Sequence, residues 1–375
     1  MNKIKIITIL LLILITLVGC SNKVEENDTI KIGGLFALTG GWAVGGTTEA
    51  NFAKIAIDEI NNEGGVNGKQ IEFILEDDMC SGNAAVTAAN KLLAQDIKII
   101  LGPSCTPASG PVAPITNENK IIILAATTTA TGFFDNFEYA FRISPAATEA
   151  AKIIGEIAKE KYELNRIAMI VEQTEFTKSW ADEFATSFKE KGGSIVLTES
   201  FPTGTTDFRT IITKIDSKNV DGVFVAGLAA QDSARILKQM KESGLLNKVK
   251  IMGPPTVIDT AVYEKSDKAL PNDAFSVFPF AENEELLQKY ITTYGEKPGF
   301  HFFHTAAMYD AAYIIKDAIL TCEENTTCIK SYLVNNNWDG KVAKWDFDEN
   351  GDPVLSNDVY KEVSIKNGEK VFSKI

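Results

Sequence analysis

Beyond residue 29 the chain alternates between short apolar runs and longer stretches in which apolar residues return every three or four positions. Ile30–Phe36 reads as a strand that leads to the Gly40-Gly41 turn. Thr47–Asn62 follows with helical spacing, Phe52, Ile55, Ala56 and Ile60 sharing one face before Gly64-Gly65 ends it. The same rhythm predicts a strand at Gln70–Leu75, a helix at Asn83–Gln95, a strand at Ile97–Leu101, a proline-interrupted helix at Ala108–Asn119 and a strand at Ile121–Ala125. It restarts after Ser144-Pro145, with helices over Ala147–Lys161, Thr177–Lys191, Phe208–Ser217 and Gln231–Ser243 alternating with strands over Arg166–Val171, Ser194–Glu199, Val220–Ala226 and Val249–Met252. Strands alternating with helices of this length predict parallel sheets with right-handed crossovers. Two such series predict two similar lobes. The C-terminal part departs from the pattern: Glu284–Tyr294, Phe302–Thr321 and Ile329–Asn335 read as helices, and Val342–Phe347 and Val359–Ser364 as strands paired across the turn Glu349–Asp352. A segment of this kind returns to the first lobe, so that several chain crossings form the hinge.

The first residues carry a different pattern. Lys3 and Lys5 precede a mostly apolar run, Ile6–Val18, and then Gly19 and Cys20. A basic start, a short apolar stretch and small residues before a cut site make a secretory signal, and the run is short for a ~30 Å hydrocarbon core. Leu17-Val18-Gly19-Cys20 resembles the lipobox of prokaryotic lipoproteins, which implies lipidation at Cys20. The alternatives are an ordinary secretory signal and an uncleaved signal anchor. Residues 1–19 are thus expected to be a lipoprotein signal peptide and 20–29 a lipidated flexible tether, polar and acidic without periodicity. The protein is expected at the outer face of the cytoplasmic membrane, held there by lipid alone.

Composition narrows the function. The chain has 375 residues, enough for two domains once the leader is removed. Its net charge of −13 disfavours nucleic acid, whose phosphates it would repel. Of five cysteines, four remain after Cys20. In an oxidising compartment an even remainder suggests disulfides. Cys80 and Cys105 each follow a predicted strand, where neighbouring strand ends come within bridging distance, and Cys322 and Cys328 are close enough to close a small loop. The expected pairs are Cys80–Cys105 and Cys322–Cys328, with free buried thiols as the alternative.

Several stretches together resemble the type I periplasmic binding proteins, in particular the leucine/isoleucine/valine-binding branch that feeds ABC importers. They are Ile30–Gly41, Ala56–Gly68, Leu101–Cys105, Ile121–Thr129, Tyr139–Ser144, Tyr309-Asp310-Ala311 and Phe347–Asp352. Cys80 and Cys105 also stand where the amino-acid-binding branch places a disulfide. The resemblance implies an α/β fold of two Rossmann-like lobes with parallel central sheets joined by three crossovers. It puts lobe one at residues 30–143 plus 279–355 and lobe two at 144–278 plus 356–375, with a ligand in the cleft and hinge closure around it.

In that family a ligand carboxylate is held on lobe one, and the matching positions are Thr106, Thr127 and Thr129, with Thr128 between them. Local physics agrees. Thr106-Pro107 suits a helix start, with Thr at the N-cap and Pro at N1, and a helix N-terminus offers N–H groups and a positive dipole end to an anion. Ala125–Thr129 ends a strand, where ligands of open α/β sheets lie. The plainer readings are an ordinary N-cap and a polar turn. Trp42 lies beyond the first strand, either as a cleft wall or as an aromatic on an ordinary loop.

On lobe two the amino-acid-binding branch uses aromatic residues and an acid, and the matching positions here are Phe176, Leu228 and Pro255. Pro255 cannot counter an ammonium, and a buried unpaired ammonium costs several kcal/mol. Either Glu172 or Asp232 takes over, or the ligand is a small apolar carboxylate or amide without an ammonium.

Other chemistries find little support. His301 and His304 at i, i+3 lack a compact set of zinc ligands. Asp346–Gly351 matches the first half of a calcium loop, but position twelve is Asn357, so a hairpin turn is expected. No G-x-G-x-x-G is present near Gly33-Gly34. Neither a cofactor, a metal nor an enzymatic activity is expected. The expectation is a monomeric, extracytoplasmic substrate-binding lipoprotein that delivers a branched-chain amino acid or related small carboxylate to ABC permease subunits. The alternative is a sensory binding protein that presents its ligand to a chemoreceptor or sensor kinase.

Overall fold

In a computed structural model of the protein, the described residues are 29–375 except 131, 133, 357 and 358. The expected signal peptide 1–19, Cys20 and the tether through Asp28 lie outside them. The first lobe begins with β1 (Ile30–Phe36), α1 (Ala43–Asn62), β2 (Ile71–Asp77), α2 (Gly82–Leu93), β3 (Ile99–Leu101), α3 (Thr106–Glu118), β4 (Ile122–Ala125) and β5 (Ala140–Arg142). Its five strands run parallel in the order β2-β1-β3-β4-β5. The second lobe follows as α4 (Ala147–Glu160), β6 (Arg166–Glu172), α5 (Glu175–Glu190), β7 (Ser194–Phe201), α6 (Arg209–Asp216), β8 (Gly222–Ala226), α7 (Ala230–Glu242), β9 (Lys250–Met252), α8 (Thr260–Lys265) and β10 (Phe275–Pro279). The chain then makes α9 (Glu284–Tyr294), α10 (Phe302–Cys322), α11 (Thr326–Asn335), the small pair β11 (Asn337–Asp339) and β12 (Lys344–Asp346), and finally β13 (Tyr360–Lys366) and β14 (Glu369–Ser373). The second sheet has the order β14-β13-β10-β9-β8-β6-β7.

Strand side chains alternate between two faces, and each sheet is covered on both. In the first, Ile30, Ile32, Ile122 and Leu124 pack with α1, α9, α10 and α11, while Leu35, Ile121 and Ile123 pack with α2 and α3. In the second, Ala168 and Ile170 pack with α6 and α7, and Ile167, Met169 and Val171 with α4 and α5. This double burial explains why the strands read as continuous apolar runs instead of alternating ones. The chain crosses between lobes after β5, after β10 and before β13. Because it leaves each parallel sheet from a C-terminal strand end, the two C-terminal sheet edges face each other across the cleft.

The C-terminal region corrects one expectation. Val342–Phe347 and Val359–Ser364 do not pair with each other: β12 pairs with β11, while β13 lies antiparallel between β10 and β14 in the second sheet. The cause is Asp310 of α10. Its buried carboxylate accepts from the backbone N–H of Lys341 and Val342 and from the indole of the fully buried Trp345, pinning that segment to the first lobe. Periodicity also passed over β5, β10, β14 and α8. β14 offers no run of buried positions, and β5 is three residues long. Helix α1 begins earlier than its apolar spacing suggests because Gly46 lets it sit on the loop after β1; a Cβ there would stand 2.4 Å from the Ala37 carbonyl oxygen.

Both cysteine pairs are joined, with Cα–Cα distances of 5.8 Å for Cys80–Cys105 and 5.5 Å for Cys322–Cys328. The first closes a sequence separation of 25 and the second one of 6. Loop-closure entropy then sets their rank. Replacing Cys80 and Cys105 by Ser should lower the unfolding free energy by roughly 3 kcal/mol, and replacing Cys322 and Cys328 by about 2 kcal/mol, as read by urea denaturation of the double variants.

Candidate functional site

The C-terminal edge of the first sheet carries a cluster of polar side chains. The segment after β3 runs beside the one after β4, with Cys105 and Thr127 forming a parallel bridge. Thr106 is the first residue of α3, whose N-cap is Cys105. The expectation that Thr106 itself caps the helix is therefore corrected by one position, with Pro107 second in the helix instead of first. The shift matters chemically: the Thr106 hydroxyl makes no cap bond, is buried, and has no hydrogen-bond partner among the described residues. Such a group is costly unless something else meets it.

Thr127 and Thr129 stand alongside. The Thr127 hydroxyl is hydrogen-bonded to the carboxyl group of Glu49, which projects from α1 and is wholly inaccessible. The other Glu49 oxygen accepts from Ser104 Oγ at 2.6 Å, and Ser104 Oγ in turn accepts the Ala37 N–H at 3.0 Å. Burial pushes Glu49 up to about 8, against the lowering effect of the two hydroxyls and with a small further push from Asp78. Asp78, at the end of β2, is raised to about 6 by burial while the Ser104 and Cys80 N–H groups hold it. Thr129 Oγ1 accepts from the Trp180 indole of α5 across the cleft at 3.4 Å. Thr128 is turned the other way, its hydroxyl 2.6 Å from Ser109 of α3, and does not join the cluster.

The loop bearing these threonines is held from behind by Arg142 of β5. Its fully buried guanidinium donates to the carbonyls of Thr128 (3.1 Å) and Ala130 (2.6 Å) and pairs with Asp352. Asp352 belongs to the turn that superficially matches a calcium loop. There Asp348 Oδ1 accepts the N–H of Asn350 and Asp352, both at 2.9 Å, and Gly351 accepts the Arg142 N–H. Gly351 has φ +77°, and a Cβ on it would stand 2.2 Å from the Ala140 carbonyl oxygen. The turn is a brace for the threonine loop.

The site residues expected in the second lobe follow the C-terminal ends of strands β6, β8 and β9. Phe176 lies in the first turn of α5, buried, its ring 6.3 Å from that of Trp180. Leu228 follows β8 and gives its N–H to Glu172 at 2.7 Å. Glu172 also accepts from Thr203 and is buried, so each of its oxygens holds one partner within the lobe. Asp232, raised by burial and by the nearby Glu172 carboxylate, is paired with Arg235 at 3.2 Å. Pro255 is buried, and its backbone accepts from His301. Trp42 caps the start of α1 and packs edge-on against Phe300 with ring centroids 4.6 Å apart. Its indole N–H is buried without a partner. At the rim a Cβ on Gly41 would lie 4.0 Å from that of Ala229, so the two lobes meet there.

His301 and His304 lie beside this region and bridge the lobes. His304 Nδ1 is 2.8 Å from Ser144 Oγ, and His301 packs on Phe278 and lies 3.1 Å from Lys370 Nζ, itself bonded to Asp259. Together with Phe300, His301 lines an interlobe groove of about 910 Å³. No cluster of metal ligands occurs among the described residues. Sequence reading missed Glu49, Ser104, Arg142 and Trp180. The signal for Arg142 was a lone cation inside an apolar strand, and for Glu49 an acid among the buried positions of a helix.

A profile of the periplasmic binding protein family matches residues 29–360. The chain is 25% identical, over 87% of both sequences, to the leucine-, isoleucine-, valine-, threonine- and alanine-binding protein of Pseudomonas aeruginosa. Among solved structures it is similar to the branched-chain amino acid transporter substrate binding protein LivJ of Streptococcus pneumoniae in complex with isoleucine. That likeness has a TM-score of 0.81 and 23% identity, covering 93% of this chain and 100% of that one. A solute binding protein of an ABC transporter from Rhodopseudomonas palustris, in complex with 3,4-dihydroxybenzoic acid, gives a TM-score of 0.79 at 22% identity, covering 92% and 96%.

Two outcomes follow from this geometry. Arg142→Met leaves the loop carbonyls and Asp352 without their donor, and Asp352→Asn leaves the fully buried Arg142 guanidinium without its counter-charge, so each should lower the unfolding free energy by about 3 kcal/mol, measured in urea. Burial also lowers His304 from 6.5 to about 4, so it folds neutral. Its contribution is complete above pH 6.5 and is lost as pH falls from there toward 4, at about 1.4 kcal/mol per pH unit. In His304→Gln the acid limb of the unfolding free energy should be shallower by that slope.

Proposed function

The chain belongs to the periplasmic binding protein family, and we propose that it is the exported solute receptor of an ABC importer, closing on a small carboxylate and passing it to a membrane permease. The observation that carries this reading is the Thr106 hydroxyl, buried without a partner at a helix start. Thr127 and Thr129 lie on the neighbouring loop, at a sheet edge that faces a second lobe. An oxyanion at that point receives the hydroxyl and the positive end of α3. Export follows from the reading of residues 1–19 as a signal peptide, and attachment from lipidation of Cys20. The lobes in this reading are 30–143 plus 279–355 and 144–278 plus 356–375, with Thr106, Thr127 and Thr129 on one side of the ligand and Phe176, Leu228 and Pro255 on the other. Trp42 forms part of the wall.

The relative from Pseudomonas is named for leucine, isoleucine, valine, threonine and alanine, and the neighbours from Streptococcus and Rhodopseudomonas hold isoleucine and an aromatic acid. What those ligands share is a carboxylate. The second lobe favours a ligand without an ammonium: Pro255 supplies no charge, the Glu172 oxygens are taken by Leu228 and Thr203, and Asp232 is paired with Arg235. Branched-chain amino acids and their deaminated or aromatic counterparts are therefore the two classes to compare.

Thermal shift and calorimetry with leucine, isoleucine and valine, the corresponding 2-oxo acids and benzoate test both points. At a hundred times its dissociation constant a ligand adds ~2.7 kcal/mol of stability. Thr106→Val and Thr127→Val should each weaken it by roughly tenfold or more, the value of a hydrogen bond to a charged group. Failure of every carboxylate to bind rejects the receptor reading. Binding of leucine but not of its 2-oxo acid rejects the ligand without an ammonium.

A further inference from the structure

We propose that Glu49 is a protonated, hydrogen-bond-donating partner of Thr127, so that the Thr127 hydroxyl proton is turned toward the cleft as a donor to the ligand's carboxylate. The inference rests on the reading that Thr127 meets that carboxylate, and it names the group that prepares it. Glu49 touches no ligand; it is a positioning residue that acts through Thr127.

The direction of each hydrogen bond is fixed by counting protons. The Ala37 N–H has one proton and gives it to Ser104 Oγ. Ser104 has one hydroxyl proton and gives it to Glu49 Oε2. That oxygen is then the carbonyl acceptor of the carboxyl group. An acid proton on Glu49 therefore sits on Oε1, whose neighbour is Thr127 Oγ1. Once Glu49 donates there, the Thr127 proton is released from the pair and faces the same edge as the unpartnered Thr106 hydroxyl. An ionised Glu49 does the reverse: it takes the Thr127 proton and presents a negative charge behind a lone pair, which an incoming carboxylate cannot approach favourably.

The surroundings favour the neutral form. Glu49 is wholly buried and no cation among the described residues pairs with it. The charged group that faces it is the Asp78 carboxylate from the end of β2, which disfavours a second negative charge. The segments after β3 and β4 bring only the hydroxyls of Ser104 and Thr127, Cys105 being in its disulfide. Helices α9 and α10, packed along α1, bring Lys289, Tyr309 and Tyr313 to Glu59 instead, further along the helix. Burial of a carboxyl among hydroxyls alone raises it to about 8, and a bound anion raises it further.

Difference infrared spectroscopy of the unliganded protein tests the protonation directly. Wild type should show a protonated-carboxyl band at about pH 7 that is lost above about pH 9 and absent in Glu49→Gln. Calorimetry with L-leucine and with benzoate, which has no ammonium to titrate, tests the consequence. Affinity should be level from about pH 6 to 7.5 and then fall about tenfold per pH unit above Glu49's titration, with one proton taken up per anion. Glu49→Gln, whose amide donates to Thr127 and accepts from Ser104, should bind with near wild-type affinity and no such fall, whereas Glu49→Leu should bind weakly at every pH. A level wild-type profile to about pH 10 overturns the proposal, as does an infrared spectrum without the band. If neither carboxylate binds at any pH, the receptor reading fails while the infrared band still decides the state of Glu49.

Discussion

A polar group taken out of water must be given a partner, and this constraint organises the whole interlobe region. A row of hydroxyls and carboxyls lies buried at the C-terminal edge of the first sheet. Most are matched from within the protein: Thr128 by Ser109, Ser104 by Ala37 and Glu49, Asp78 by backbone N–H groups. The second lobe treats Glu172 in the same way, with Leu228 and Thr203. Against that background, the Thr106 hydroxyl and the Trp42 indole N–H find no partner among the described residues.

The edge that presents Thr106 and Thr127 is stiffened from several directions. The Cys80–Cys105 disulfide ties the residue before Thr106 to the end of β2. Arg142, paired with Asp352, takes the carbonyls of the loop after Thr127 and keeps that loop from collapsing into the cleft. Both braces lie within the first lobe and involve no residue of the second.

The opposing edge follows another logic. Phe176, Leu228 and Pro255 are apolar, and the contacts that join the lobes include Trp180 with Thr129, His304 with Ser144 and His301 with Lys370. The first-lobe edge is thus lined by hydroxyls and the opposing one by apolar residues. Membership of the periplasmic binding protein family places the chain among solute-binding proteins rather than enzymes.

Much was legible in the sequence because it depends on local rules. Two series of buried strands and amphipathic helices announce two parallel α/β lobes, since strands covered on both faces must be apolar throughout and a parallel crossover needs a helix. Gly-rich turns and the cysteine spacing were equally readable, as was the placement of threonines at strand ends. Tertiary structure alone decided which polar groups find each other. Glu49 and Thr127 lie 78 residues apart, and Arg142 and Asp352 lie 210 apart, distances over which periodicity carries no information. It also decided that Val359–Ser364 joins the second sheet, because the choice between two possible partner strands rests on where Asp310 and Trp345 anchor the segment before it. Whether a buried hydroxyl is spent or still available is a property of its neighbours in space, and the order of residues along the chain does not contain it.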